Sequence, residues 1–350
     1  MAQKFTSLPQ LSAHEFDTVI DVRSPAEFAE DHLPGAINLP VLDNDERARV
    51  GTIYVQQSPF LARKLGAALV FRNAANHIEN SLAHHEGAWR PLVYCWRGGQ
   101  RSGSFVWMLQ QIGWRAEVVE GGYRSYRRLV NRYLYDTKLP YRFIALDGYT
   151  GTAKTEVLAH LRARGVQVLD LEGLANHRGS LLGEVPGGQP SQKAFESGLA
   201  AALCGFDPSQ LVVVEAESSK IGNLILPPSL WSAMNDAPRI RIDASIQARA
   251  DYLVSAYDDI LSNSERLRDR LSPLRFHRGH QIVDNWLALI DAGDKAGLTR
   301  ALIEQHYDPA YTKSSRGRDV QVIARINAAA LDEADLRAMA RQIEEVLNQL

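Results

Sequence analysis

The chain has 350 residues, 45% of them hydrophobic, which is apolar material for two ordinary globular cores rather than one. Lys and Arg (39) nearly balance Asp and Glu (41), so no global positive field marks a nucleic-acid binder and any RNA surface must come from local clustering. The N-terminus lacks an apolar core of signal-peptide length, and no stretch approaches the roughly 20 apolar residues that span a bilayer, so a cytoplasmic protein with no membrane partner is expected. Cys95 and Cys204 stand far apart, which argues against a disulfide framework and leaves each to be judged as a free thiol.

In chain order, residues 18–22 (TVIDV), 36–40 (AINLP), 91–95 (PLVYC) and 116–121 (AEVVEG) are short apolar strand candidates separated by helical patterns. They predict an α/β domain over residues 1–135. Residues 136–141, with the tripeptide KLP, interrupt any helix and are read as a linker. A second alternation follows over 142–300, with strand candidates RFIALDG (142–148), VQVLDL (166–171), QLVVVEAE (210–217) and RIRIDAS (239–245) between helical patterns. Short, β-branched runs separated by helices predict a mainly parallel sheet. Residues 301–350 read as a helical C-terminal extension.

Cys95 closes the run PLVYC, and the helical pattern SGSFVWMLQQIGW follows WRGGQR, which places the thiol at a strand-to-helix turn. Gly98 and Gly99 let the backbone curl with its N–H groups inward, and the helix contributes its positive end. Arg97 and Arg101 add charge, so the loop is an anion site that lowers the thiol pKa and makes Cys95 a nucleophile. Cys204, in AALCGFDP, lacks these neighbours and reads as packing. Cys95 and Arg101 also satisfy Cys-x5-Arg, the spacing with which phosphatases cradle phosphate, so a phosphatase stays open beside a sulfur-handling enzyme.

In LDGYTGTAKTEVL (146–158) a Walker A pattern follows a strand and opens a helix. Gly148, Thr150, Gly151, Thr152, Lys154 and Thr155 are the candidate diphosphate ligands, with the Thr155 hydroxyl in reach of Mg²⁺. Ala153 departs from the pattern, which wants Gly before the Lys, and a Cβ there is expected to alter the backbone or crowd the phosphate. Glu215 and Glu217, ending the strand candidate at 210–217, are candidate acids near the metal.

IDVRSPAEFAEDHLPGAINLP (20–40), followed by the Cys95 loop, resembles a rhodanese domain. A rhodanese domain and a P-loop domain in one chain, with VVEGGYRSYRR (118–128), LDLEGLANHRGSLLG (169–183) and VEAESSKIGN (214–223), resemble the tRNA 2-selenouridine synthases. The resemblance implies a rhodanese-like domain, then a P-loop NTPase-like parallel-sheet domain with a helical C-terminal region. It also implies a transferase that converts wobble 2-thiouridine of tRNA to 2-selenouridine through an S-geranylated intermediate, with geranyl diphosphate and selenophosphate as co-substrates. Cys95 would then handle selenium, through a selenylsulfide, and residues 148–155 would bind the diphosphate of geranyl diphosphate. A rhodanese-type sulfurtransferase, or a phosphatase joined to a nucleotide-binding domain, remains the alternative, and ATP or GTP as the P-loop ligand stays open.

For tRNA, Arg124, Arg127, Arg128 and Arg132 interleave with Tyr123 and further tyrosines, an arrangement in which rings stack on bases and Arg meets phosphate. The competing reading is an amphipathic helix with its tyrosines packed inward. A second cluster, Arg266, Arg268, Arg270, Arg275 and Arg278 with His277 and His280, is diluted by Glu265 and Asp269, and its histidines lack the partners of a zinc site. His177 and Arg178 are a weaker candidate for substrate contact, with an ordinary loop the competing reading.

Overall fold

The computed structural model describes residues 2–315 and 321–350 and divides into two compact units, Met1–Lys138 with Pro190–Gly205, and Leu139–Gln189 with Phe206–Leu350. In the first unit β1 (Ala2–Gln3), β2 (Thr18–Asp21), β3 (Ile37–Asn38), β4 (Pro91–Tyr94) and β5 (Glu117–Val119) form a parallel sheet in the order β1-β5-β4-β2-β3. The central strand β4 is buried along its whole length, as the unbroken apolar run PLVY requires of a strand covered on both faces. Helices Pro59–Glu79 and Gln100–Ile112 supply Leu69, Val70, Phe105 and Leu109 to the core around Val93 and Cys95.

A buried ion pair supports this sheet. Arg23 and Asp21 are both essentially unexposed, and the Arg23 Nη2 also donates to the Asp31 carbonyl at 2.6 Å. Its guanidinium lies 4.0 Å from the centroid of the Tyr123 ring, and the Tyr123 hydroxyl donates to Asp31 at 2.7 Å. Removing one partner would strand a charge in the core, a cost of about 3–5 kcal/mol.

The second unit has β6 (Arg142–Gly148), β7 (Gln167–Leu169), β8 (Leu211–Glu215), β11 (Arg239–Ala244) and β12 (Val322–Ala328) in a parallel sheet ordered β12-β11-β6-β8-β7, with a small hairpin of β9 (Lys220–Ile221) and β10 (Leu224–Ile225). Its core joins Ile144, Leu146, Val213, Ile240 and Ile242 to Val157 and Leu161 of helix Lys154–Ala163 and to Met339 and Ile343 of helix Glu333–Leu347. A separate apolar cluster around Trp286, Leu261, Leu267 and Leu302 holds together the helices that follow β11.

Two expected boundaries change. Helix Gln192–Cys204 lies inside the stretch read as the P-loop domain, 142–300, yet packs in the first unit. Ser191 donates to the Glu30 carbonyl, Lys193 pairs with Glu30 at 2.6 Å, and buried Glu196 pairs with Arg127. Its amphipathic pattern shows that the helix buries one face but not which sheet covers it. The boundary at 300/301 falls inside helix Lys295–Leu302. The C-terminal region beyond it is mostly helical, but it also contributes the edge strand β12, which the polar residues among VIARINA hid from a pattern search.

Candidate functional site

Cys95 follows directly on β4 and is 3% exposed. The loop 96–99 turns the chain into helix Gln100–Ile112, whose first turn brings the Ser102 hydroxyl to donate to the Cys95 Sγ at 3.2 Å. Burial pushes the thiol up. The Ser102 hydroxyl, the Arg101 guanidinium and the backbone N–H groups of Ser102 and Arg97 outweigh it and bring the pKa below its ordinary value. Arg97 therefore acts through its backbone while its side chain is exposed. Arg101 is held in place by Glu27, Nη1 to Oε2 at 2.9 Å, and despite burial Arg101, the Ser24 N–H and Arg47 keep the Glu27 carboxyl below its ordinary range.

The loop is closed from behind by the turn at Gly121 and Gly122. Tyr123 N–H donates to the Cys95 carbonyl (2.8 Å) and Arg124 N–H to that of Trp96 (3.1 Å). Gly98 adopts φ +65°, and a Cβ there would lie 2.6 Å from the Val119 carbonyl oxygen, while one on Gly122 would collide with the Cys95 carbonyl oxygen. Both positions are thus glycine for steric reasons. Gly99 is the N-cap of the helix.

In the second unit β6 delivers Gly148 to a loop that enters helix Lys154–Ala163. Gly151 has φ +86°. Ala153 holds φ +55° and ψ +34°, so it keeps the left-handed geometry that a glycine would supply, at a cost of about 1–2 kcal/mol. Ala153 belongs to the buried cluster beside Val157 and also lines the cavity of the loop. Lys154 Nζ donates to the Gly148 carbonyl at 3.1 Å, and Thr152 Oγ1 to that of Tyr149 at 2.9 Å. Gly148 and residues 150–156 line a cavity of about 380 Å³ together with Glu172, Glu217, Arg178, Arg239, Tyr257 and Tyr311, among others.

The acids behave differently from one another. Thr155 Oγ1 donates to Glu172 Oε2 at 2.8 Å. Burial and neighbouring Glu217 push the Glu172 carboxyl up to about 7, and burial likewise raises Glu217. Glu215 is not part of this cavity: it is unexposed, its Oε2 accepts the Leu171 N–H at 2.6 Å, and burial followed by Glu172 drives it well above the carboxylate range. Of the two acids read from the strand, only Glu217 reaches the cavity. Glu215 is the last residue of β8, walled in where the Leu171 N–H meets its carboxylate, whereas Glu217 lies past the strand end on the cavity wall.

Sequence reading missed Glu172, Ser102 and the Asp147 cluster. Glu172 stands in LDLEG, one residue beyond the start of a short helix after β7, and an acid at the carboxyl end of the strand two places from β6 was the signal available. Arg239 donates to Asp147 at 3.3 Å, and Tyr311 hydrogen-bonds the same carboxylate. Both line the cavity. Arg178 also lines it, paired with Asp259 at 3.0 Å and lying 4.9 Å from the Tyr257 ring centroid, while His177 accepts the Gly179 N–H as a loop clamp.

The arginine-tyrosine helix, Gly122–Asn131, turns its tyrosines inward. Tyr123 is 2% exposed and cannot stack on a base, which corrects that assignment. Arg127 is engaged by Glu196, whereas Arg124, Arg128 and Arg132 are exposed. In the second cluster the pairing acids are not Glu265 and Asp269: Arg266 and Arg270 meet Glu184, Arg268 meets Asp291, Arg275 meets Asp284, and Arg278 donates to His306. Among the described residues, no group of three or more His, Cys, Asp or Glu could hold a metal ion, and no helix is long and apolar enough to cross a membrane.

An activated thiol in one parallel α/β unit and a phosphate loop in another define an enzyme that joins a rhodanese-type domain to a P-loop domain. A family model described as the rhodanese-like domain matches residues 6–129, and one described as the tRNA 2-selenouridine synthase AAA domain matches residues 141–273. The tRNA 2-selenouridine synthase of Hahella chejuensis is 33% identical over 347 residues, covering 89% of each chain. That of Cupriavidus pinatubonensis is 32% identical over 90% of this chain and 93% of its own, and that of Pseudomonas syringae 32% over 93% and 95%. The chain belongs to the tRNA 2-selenouridine synthase family.

Proposed function

We propose that the protein converts 2-thiouridine at the wobble position of tRNA to 2-selenouridine in two chemical steps, geranylation at the P-loop and selenation at Cys95. The observation that carries this reading is that one chain holds both an activated thiol in an N–H-lined loop and a lysine-bearing phosphate cradle, each built within its own unit. A thiocarbonyl keeps its sulfur unless that sulfur becomes a leaving group. In the first step the uridine sulfur attacks C1 of geranyl diphosphate, the C–O bond breaks, diphosphate leaves and the N3 proton is lost to solvent. Lys154 and the loop N–H groups offset the charge that develops on diphosphate. No water needs positioning, so a loop with Ala153 in place of the second glycine suffices.

The residues fit a Mg²⁺ ion. The Thr155 hydroxyl and the Glu172 and Glu217 carboxylates line the cavity, and two adjacent acids with raised pKa are the donor set a divalent cation would relieve. When bound with diphosphate and water oxygens completing its shell, the ion would neutralise the leaving group.

For the second step the Cys95 thiolate attacks the phosphorus of selenophosphate, whose oxygens fit the N–H groups of the loop and Arg101. The P–Se bond breaks and releases hydrogen selenide anion. Selenium then attacks C2, geranylthiolate departs, and water cleaves the S–P bond to return the thiolate and phosphate. This route needs no oxidant, whereas a selenylsulfide on Cys95 would, because selenium in selenophosphate is already at the selenide level. Exposed Arg124, Arg128 and Arg132 are the cations left for tRNA phosphates, and reversing all three to Glu should reduce tRNA retention and its salt dependence. Unchanged retention would remove this surface from the reading.

Purified protein given thiolated tRNA, geranyl diphosphate and selenophosphate should yield geranylated and then selenated uridine in digested nucleosides analysed by mass. Absence of both products would overturn the proposal.

A further inference from the structure

The P-loop cavity continues into a narrower, apolar crevice. Thr150, Ser180, Leu253 and Tyr257 line both, and beyond them the crevice is walled by Leu182, Leu261, Thr299, Leu302 and Tyr307. Leu182, Leu253, Leu261 and Leu302 are each at most 7% exposed. Apart from Thr150, which stands at the mouth shared with the P-loop cavity, the hydroxyls of the crevice are already committed. Ser180 Oγ and the Tyr257 hydroxyl lie 3.2 Å apart, the Tyr307 hydroxyl bonds Ser180, and Thr299 Oγ1 donates to the Lys295 carbonyl at 2.8 Å. Nothing there would recognise the edge of a purine or the hydroxyls of a ribose, so a nucleoside entering would lose hydrogen bonds to water without replacement. A hydrocarbon loses none.

A polar, cation-bearing cavity that runs into a wall of leucines matches a ligand with an anionic head and an apolar tail. We propose that the crevice holds the hydrocarbon tail of the allylic diphosphate, and that Leu261, Leu302 and Tyr307 at its far side set the chain length that is accepted. The inference rests on the reading that the P-loop takes an allylic diphosphate. The crevice measures about 20 Å³, room for a single water, so a tail could enter only by parting Leu182 from Leu261 and Leu302, with which it forms one buried cluster. Leu182 sits in the loop that also carries Arg178 and Ser180 of the cavity wall, so tail entry and head binding act on one segment.

The test uses the full-length protein with thiolated tRNA and equal geranyl and farnesyl diphosphate, and reads the ratio of the two prenylated uridines. Leu302→Ala, which lengthens the crevice, should raise the farnesyl-to-geranyl ratio about tenfold, the usual effect of one or two carbons in an apolar pocket. Leu302→Phe should cut geranyl transfer by about tenfold and spare dimethylallyl transfer, with binding of inorganic diphosphate unchanged. Should Leu302→Ala fail to fold, Leu302→Val is expected to move the ratio in the same direction by a smaller factor. If the wild-type protein transfers geranyl but no variant moves the ratio, the crevice is not the tail site and the proposed function stands. If the wild-type protein transfers no prenyl group, both the function and this inference fall.

Discussion

The Cys95 loop and the P-loop are the same local device with two different sets of side chains around it. Each follows a buried strand of a parallel sheet, curls through glycine and enters a helix N-terminus, which supplies N–H groups and a positive dipole end to an anion. They differ in what the strand end and the walls contribute. In the first unit the strand is followed directly by Cys95, the proposed nucleophile, with a hydroxyl at 3.2 Å and an arginine that lower the thiol pKa. In the second the strand ends in Gly148 with Asp147 just before it, and the cavity walls bring a lysine and two carboxyls with raised pKa. A helix N-terminus makes an anion site generic, and the side chains around it decide what the bound anion meets.

The sharpest way to break the comparison is to disable one loop at a time. Cys95→Ser should lower selenium incorporation by at least about a thousandfold and leave geranylation intact, and Lys154→Ala should lower geranylation by about a hundredfold or more while Cys95 keeps its reactivity to iodoacetamide. Nucleoside analysis reads both, and equal loss of both products in both variants would mean that the two loops are not separate stations. A smaller effect follows from the hydroxyl beside the thiol. Ser102→Ala should slow carboxymethylation of Cys95 about tenfold near neutral pH, with the difference vanishing in strongly alkaline buffer, where the thiol ionises without help. A rate profile that does not move would show that the hydroxyl does not hold the thiolate.

The P-loop unit should show the opposite electrostatic sign. Glu172 is raised to about 7 from an ordinary 4.5, so between those values the folded protein binds more protons than the unfolded chain. Stability therefore falls as pH rises through that window and levels off above it. Thermal unfolding should show this, and Glu172→Gln should flatten it. A melting temperature that rises across the window in the wild type would contradict the assignment.

The smallest expected effect is at Ala153. Replacing it with Gly relieves about 1–2 kcal/mol of left-handed strain but removes a buried methyl worth about 0.8 kcal/mol and loosens the unfolded chain by about 0.4–1 kcal/mol. The melting temperature should stay within about 4 °C of wild type. A larger rise would mean that strain dominates at this position.

Much of both sites was legible because each is built from residues close in sequence. The strand at 142–148 was read at the bounds it has, and the glycines and basic residues of each loop lie within a few positions of the nucleophile or lysine. What was misread involves partners far along the chain. Tyr123 looked available for stacking because its helix carries Arg on one face, but its hydroxyl is taken by Asp31 and its ring by Arg23. Glu215 and Glu217 looked equivalent from the strand end, and only the packing over β8 separates a walled-in acid from a cavity acid.

The sequence by itself determined the two parallel α/β patterns, the position of Cys95 at a strand-to-helix turn and the phosphate loop around Lys154, because backbone preference and hydrophobic period are properties of neighbours. The tertiary structure decided that helix Gln192–Cys204 packs in the first unit, that Glu172 rather than Glu215 faces Thr155, and that a leucine-lined crevice extends the phosphate cavity. Those outcomes depend on which surfaces meet once the sheets have formed, and a residue's local pattern states that it will be buried without stating against what.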